Sequence, residues 1–167
     1  KLHRQAEHHA HETGTPVALA GNVSRLAALA GLNLIDCRLL EFAVMMHAEP
    51  VLNEAAECLD GLSTAQVHKA LSSILDIPEH DIRVSLGRDG MLAHSGLLSV
   101  EHDNSGLIRK LELISGDFSA CAMLPDMQPA DLLRGVVDPA TPAELDLTDY
   151  PHLAASLDIL LPYLRCA

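Results

Sequence analysis

Aromatic residues are scarce in this 167-residue sequence, which has no Trp, two Phe and two Tyr. Proteins that bind nucleic-acid bases often stack them on aromatic side chains, and this composition leaves almost no residues for such platforms. Hydrophobic residues still make up 49% of the chain, so a buried core of Leu, Ala, Ile and Val is expected. The length suits one domain, or a small domain with extensions.

Basic residues are also few, with 11 Lys and Arg against 23 Asp and Glu and a formal net charge of −12. A surface of this charge repels polyanions unless its basic side chains cluster, so nucleic acid is a disfavoured partner. No apolar run reaches the ~18 residues of a membrane-spanning helix, and the start lacks a signal-peptide core. Composition therefore predicts a soluble cytoplasmic module with no membrane partner.

Paired cysteine motifs are absent, because the four cysteines are scattered and none forms a C-x-x-C pair. Zinc-ribbon and thioredoxin-type chemistry thus have no support in the sequence. We expect reduced, mostly buried thiols, as is usual in the cytosol. The four positions are Cys37, Cys58, Cys121 and Cys166.

Nucleotide-binding motifs are missing as well. Neither G-x-x-x-x-G-K-[ST] nor G-x-G-x-x-G occurs, so the chain has no backbone cradle for phosphates and is not expected to hydrolyse ATP on its own. G-x-S-x-G, H-E-x-x-H and calcium-loop patterns are also absent. We predict no catalytic, cofactor-binding or metal-binding residues, although an enzyme site without a recognisable motif is a third possibility.

Several residues of chemically reactive types are better explained by structural or solvent-exposed roles than by catalysis or metal binding. Ser95 follows His94, but a nucleophile also needs an orienting group in space. The histidines near the start fit a polar tail better than a metal site, which needs fixed geometry. Two pairs of acidic residues fit solvent-exposed faces better than a general acid/base site. The N-glycosylation tripeptide that begins at Asn22 is taken as accidental. The histidines are His3, His8, His9 and His11, and the pairs are Glu54 with Glu57 and Asp146 with Asp149.

Local signals predict three helices in the first part of the chain. The Ala/Leu-rich stretch Asn22–Ala30 precedes Gly31, and glycine accepts the left-handed conformation that ends a helix. Asn33 can cap a helix reaching Ala48, with apolar residues at three- and four-residue spacing. A proline at a first helical turn then predicts a further helix over Pro50–Leu59.

Two more helices follow in close succession. Ser63 and Gln66 fit a capping box, and the helix they open carries an apolar stripe. Pro78 begins a short helix over Glu79–Leu86, which Gly87 is expected to close. A three-residue turn between the two helices is the spacing of a helix-turn-helix. The stripe consists of Val67, Ala70, Leu71, Ile74 and Leu75.

A β-hairpin is predicted next, from strand-prone runs over Leu97–His102 and Leu107–Ile114 with a turn over Asp103–Gly106. Helices followed by a helix-turn-helix and a hairpin predict a winged helix, in which the hairpin is the wing. The predicted fold class is therefore α+β and mostly α, with additional helices at both ends.

The rest of the chain predicts an extension of short elements. Helical pieces are expected over Phe118–Leu124 and Pro129–Leu133, and a short strand over Ala143–Thr148. A last helix from Tyr150 has a leucine stripe and is expected to be interrupted at Pro162. We divide the chain into a histidine-rich tail with a short helix (1–31), a winged-helix domain (32–114) and a helical extension (115–167).

The helix-turn-helix offers the one sharp functional hypothesis, which is DNA binding by its second helix and wing. Its charge counts against this, because Ser63–Leu113 contains five basic and seven acidic residues. A phosphate-contacting surface normally has a basic excess. Protein contact or a structural role is therefore favoured, and exposed leucines of the last helix are one candidate contact. The DNA alternative rests on His80, Arg83, Arg88, Arg109 and Lys110.

Four segments of the sequence resemble the region upstream of the motor in a group of bacterial AAA+ ATPases. They are LLEFAVMMHAEPVLNEA (39–55), GLSTAQVHKALSSILDIP (61–78), HSGLLSVE (94–101) and LTDYPHLAASLDILLPYL (147–164). The resemblance covers roughly residues 32–167 and rests mostly on hydrophobic patterning. In that group the Y-P-H-L segment, here Tyr150–Leu153, lies shortly before the ATPase module.

The resemblance implies a non-catalytic N-terminal domain that recognises a substrate or adaptor, or organises assembly, for an ATP-driven motor. Its partner is then another protein or its own ATPase module. ATP and Mg²⁺ are expected only for that module, whose Walker motifs are absent here, so no nucleotide-binding residue is carried over. We expect the reading frame to continue past Ala167 into a Walker A loop.

Overall fold

The computed structural model describes residues 14–59, 61–100, 106–134, 136–137, 144–145 and 149–165. The protein is mostly helical, with one small antiparallel sheet of two strands. None of the helices in these ranges is both long enough and apolar enough to cross a membrane. The helices are α1 (Val17–Ala30), α2 (Leu34–Ala48), α3 (Pro50–Glu57), α4 (Thr64–Leu75), α5 (Glu79–Ser85), α6 (Met91–Ser95), α7 (Leu107–Lys110), α8 (Phe118–Ala122), α9 (Pro129–Leu132) and α10 (Ala154–Arg165), and the strands are β1 (Leu98–Val100) and β2 (Leu111–Leu113).

The first two helices are bounded by the predicted caps. Helix α1 ends at Gly31, whose φ of 69° is left-handed and whose amide donates to the carbonyl of Ala27. It begins five residues before the predicted start, because Pro16 precedes its first turn. Helix α2 opens with a capping box, in which Asn33 accepts from the amide of Asp36 and the carboxylate of Asp36 accepts from the amide of Asn33.

Helices α4 and α5 are joined by three residues, as predicted. The capping box of Ser63 and Gln66 opens α4, and Asp76 ends it in the left-handed region at φ 51°. Ile82 and Leu86 point into the core as expected. Leu86 is the C-cap of α5, with φ −90° and ψ 0°, and Gly87 is not among the residues with positive φ, so the left-handed closure expected at Gly87 does not occur.

The sheet pairs Leu98 with Leu113 and Val100 with Leu111, while Ser99 and Glu112 face outward. The predicted strand over Leu107–Ile114 is wrong in its first half, where the chain forms α7. Tertiary contact overrides the β-propensity there, because the buried Leu107 donates its amide to the carbonyl of Leu59 at 3.0 Å. The 101–105 part of the predicted hairpin lies outside the described residues.

One hydrophobic cluster extends from Leu19 to Leu132. It includes Phe118 of α8, which is fully buried, and α8 packs against both α1 and α2. The predicted domain boundaries at 31/32 and 114/115 stay predictions, and the core draws side chains from both sides of each boundary. Helices α8 and α9 lie where helical pieces were predicted.

Helix α10 continues through Pro162, so the predicted interruption is wrong. A proline removes one backbone donor, and the carbonyl four residues earlier belongs to the exposed Asp158, where water can replace the lost hydrogen bond. Pro151–Leu153 forms a 3₁₀ turn before α10. Of the predicted strand 143–148, only residues 144 and 145 are described, and the tail histidines lie outside the described residues.

Candidate protein-contact surface

The basic residues of the DNA alternative do not form one exposed set. His80 and Arg83 are exposed on α5, Arg88 lies in the turn beyond it, and Arg109 is exposed on α7. Lys110 has only 1% of its surface accessible. Its side chain therefore does not reach the surface on which a phosphate would bind, and four of the five predicted residues remain exposed.

Acidic groups lie among these basic residues. The guanidinium of Arg83 donates to Glu79 across one turn, with a nitrogen–oxygen distance of 2.7 Å. His68 of α4 is half-buried, and its pKa lies below the usual value because of burial and then the charge of Arg83, partly opposed by Glu79. The surface of α5 therefore neutralises its own arginine instead of presenting a continuous positive strip.

The other reactive groups occupy ordinary environments. The hydroxyl of Ser95 donates to the carbonyl of Leu92 at 3.1 Å, so it is engaged in the local helix. Glu54 and Glu57 are exposed, as predicted for a solvated face. These contacts give no support to a nucleophile at Ser95.

The thiols of the described cysteines are free. The expectation of mostly buried thiols is wrong, since Cys58 at the end of α3 is exposed while Cys37 and Cys121 are half-buried. Cys58 is the C-cap residue of α3, outside the face of that helix that is buried. Burial raises the pKa of Cys37, and the carboxylates of Glu41 and Asp36 raise it further.

Sequence reasoning missed a buried polar network that joins α1 to the segment after α8. The amide of Asn22 is fully buried and donates to the carbonyls of Ala122, at 3.0 Å, and Leu124, at 2.7 Å. Arg25 donates to the side-chain oxygen of Asn22 at 2.8 Å and pairs with Asp126 at 3.1 Å. Only the tertiary arrangement brings these groups together, so no sequence signal could have identified them.

The network fixes α1 beside an apolar groove of about 290 Å³, which we call the α1 groove. Its walls come from the last turn of α1, the end of the sheet, and the segment after α9. Three wall residues are strongly exposed, namely Leu29 (71%), Val136 (48%) and Val137 (53%). The full lining is Leu26, Leu29, Ala30, Ser95, Leu97, Ile114, Leu133, Val136 and Val137.

A second apolar cleft of about 140 Å³ lies between α2, α3 and α4, and we call it the α3 cleft. Leu52, Leu59 and Ile74 line it and are 40%, 38% and 51% exposed. The remaining lining residues are Phe42, Met46, Ala55, Ala56 and Leu107.

The two sites can accept apolar side chains but offer little hydrogen bonding. Ligand and catalytic sites combine an apolar cavity with a few convergent polar groups. Among the residues that the structure describes, Ser95 is the one polar side chain lining either site, and its hydroxyl is already bonded within α6. Exposed apolar surface of this kind is typical of protein interaction sites. Comparisons with protein-family models, curated proteins and solved structures found no match for this chain.

Proposed function

We propose that this chain is a non-catalytic accessory domain that binds an apolar segment of another protein in the α1 groove. The exposure of Leu29, Val136 and Val137 around that groove carries the proposal. Burying these side chains against a partner removes apolar surface from water, at about 25 cal/mol per Å². The net charge of −12 further favours a protein over a polyanion.

As part of the same proposal, α4, α5 and the sheet form a winged-helix unit attached to an AAA+ motor. Support comes from the three-residue connection between α4 and α5 and from the antiparallel pairing of β1 with β2. Sequencing the parent gene past Ala167 is the direct test. The proposal expects a Walker A loop within about a hundred residues, a typical domain length, and an immediate stop codon would remove the motor from it.

Photo-cross-linking tests the protein contact itself. A photoreactive residue replaces Val137 in the complete protein in its own cells, and the matched control replaces Arg88, which is exposed on the charged surface. We expect a discrete cross-linked product from position 137 that disappears when Leu29→Asp is added. No product, or equal products from both positions, would refute a contact at the α1 groove.

DNA binding by a regulator is the alternative, and it predicts a different result. Affinity for random duplex DNA would be measurable at low salt, would fall steeply as salt rises, and would weaken in Arg83→Gln and Arg88→Gln. The burial of Lys110 and the pairing of Arg83 with Glu79 count against it. Our proposal expects no duplex binding even at low salt.

A further inference from the structure

We propose that Asn22 and Arg25 of α1 are positioning residues for the α1 groove. They hold the segment Ala122–Met127, which we call the anchor segment, against α1. This anchorage sets the separation between the groove wall on α1 and the groove wall that follows α9. The consequence for partner binding rests on the proposed function, whereas the separation of the walls can be measured without any partner.

One face of α1 carries both the polar network and the first groove wall. Residues three or four apart are neighbours on a helix surface, so Asn22 is followed on the same face by Leu26. Arg25 is followed in the same way by Leu29. The first two residues bind the anchor segment, and the other two line the groove. The groove therefore begins where the network ends.

Asn22 uses every part of its side-chain amide. Its Nδ2 donates to the carbonyls of Ala122 and Leu124, at 3.0 Å and 2.7 Å, and its Oδ1 accepts from Arg25 at 2.8 Å. The side chain is fully buried, where polar groups without partners are costly. An ionised aspartate has nearly the same shape but no N–H to donate. The anchorage therefore requires an amide at this position.

Arg25 extends the anchorage along the segment. Its guanidinium donates to the carbonyl of Met127 at 3.2 Å and pairs with Asp126 at 3.1 Å. Asp126 has a left-handed φ of 54°, a conformation that is costly for a non-glycine residue and persists where its surroundings hold it. The other ion pairs found among the described residues join positions three or four apart. Among these pairs, the one at Arg25 connects distant parts of the chain.

The anchor segment leads into the second groove wall. After Met127 the chain forms α9, which packs against α1, and Leu132 enters the core. Leu133, Val136 and Val137 then line the groove. This wall therefore has two anchors, the polar network before α9 and Leu132 within it. Because the network attaches to the face of α1 that becomes the groove, its loss should let the wall move even with Leu132 in place.

Pulsed electron paramagnetic resonance on the whole chain tests the separation of the walls. Spin labels on keto amino acids at Ala28 and Val137 report across the groove, and labels at Glu54 and His80 form a control pair on α3 and α5. All four positions are exposed. We expect Asn22→Asp to broaden the groove distance distribution by more than about 2 Å, the scale of a loop rearrangement. The control distribution should stay unchanged.

A matched pair of milder variants keeps the test decisive if Asn22→Asp does not fold. Arg25→Met and Arg83→Met each keep an aliphatic stem and remove one partly exposed ion pair. Only Arg25→Met should broaden the groove distribution. An unchanged groove distribution in Arg25→Met, equal broadening in the groove and control pairs, or equal broadening in Arg83→Met would overturn the proposal.

The cross-link at position 137 separates this proposal from the proposed function. Arg25→Met should lower the yield of the cross-linked product severalfold, and Arg83→Met should leave it unchanged. Absence of product from the unmodified protein would refute the proposed function but not the distance comparison. An unchanged yield from a protein with a broadened groove would show that the network does not serve binding, and would overturn that part of the inference.

Discussion

Helices α3 and α5 have eight and seven residues, but they arrange charge and anchorage in opposite ways. Helix α5 has Glu79 and Asp81 in its first turn and Arg83 in its last turn, which suits the helix dipole. Helix α3 has its glutamates toward the other end and no basic residue in its last turn. The comparison teaches that the charges of α5 suit its own dipole, while α3 carries uncompensated negative charge toward its C-terminal end.

The two helices also differ in how much apolar side chain they bury in the core. Ile82 of α5 is fully buried, and the helix packs against both α4 and α2. The buried side chain of α3 is only the methyl group of Ala56. An aliphatic side chain of full size contributes far more apolar burial than one methyl group, so α5 is anchored in the core more strongly than α3.

The largest expected effect is a difference in stability loss between truncating the buried Ile82 of α5 and truncating the exposed Val51 of α3. Ile82→Ala should lower the free energy of unfolding by about 2–5 kcal/mol, because it opens a cavity in the core. The matched change in α3, Val51→Ala at an exposed position, should stay within about 0.5 kcal/mol. Urea denaturation followed by circular dichroism measures both, and similar losses would contradict the difference in anchorage.

The second prediction concerns the start of α3, which lacks a side-chain cap although its N-cap residue Glu49 is extended. Glu49→Asp supplies a carboxylate short enough to accept from the first-turn amides and keeps the charge. We expect about 1 kcal/mol of added stability. Ser63→Ala, which removes the observed cap of α4, should cost about the same. A destabilised Glu49→Asp protein would show that the start of α3 is already satisfied.

The third prediction reverses the charge pattern of α3. Glu54→Lys/Glu57→Lys removes like-charge repulsion and places cations at the negative end of the dipole, so stability should rise by about 0.5 kcal/mol at low salt. Arg83→Gln breaks the Glu79 pair on α5 and should lower stability by about 0.3–0.5 kcal/mol. Both changes should shrink in high salt. Opposite signs would reverse our account of the two helices.

The smallest expected effect is a pH dependence of stability caused by His68, which lies on α4 and feels the charge of Arg83 on α5. Folding lowers the pKa of His68 from 6.5, through burial and then Arg83, so below pH 6.5 the unfolded chain takes up the proton more readily. The contribution of His68 therefore reduces stability as pH falls from 6.5 toward the pKa of the folded state, and it is absent at higher pH. His68→Gln should remove this component from urea titrations at pH 7.5 and 5.5.

An NMR titration gives an independent check of the same group. The midpoint for His68 should lie below 6.5 and should rise in Arg83→Gln, since a positive charge has been removed. A midpoint at or above 6.5 would contradict the environment of His68 at the α4–α5 packing.

Caps and turns were predictable because they depend on residues close in sequence. Asn33, Ser63 and Gly31 define helix ends through bonds and backbone angles within one turn, and all three do so in the fold. The segment Leu107–Lys110 was predicted wrongly, because its alternation fits a strand while its helical turn is held by the distant Leu59. Local propensity cannot report such a contact.

The candidate surfaces were less predictable than the elements that carry them. An apolar stripe on α4 is visible in the sequence, but burial of Val67 and Leu71 and exposure of Ile74 depend on where neighbouring helices lie. Lys110 appeared to be a surface group and is buried. The Asn22 network joins residues about a hundred positions apart.

The sequence by itself determined the acidic excess, the scarcity of aromatic side chains and the capped helix boundaries, because these depend on composition or on neighbouring residues. The tertiary structure alone decided which apolar side chains are left uncovered beside α1 and α3, and which arginines are already paired. Packing has this role because a side chain's exposure depends on every element around it, and those elements come from distant parts of the chain.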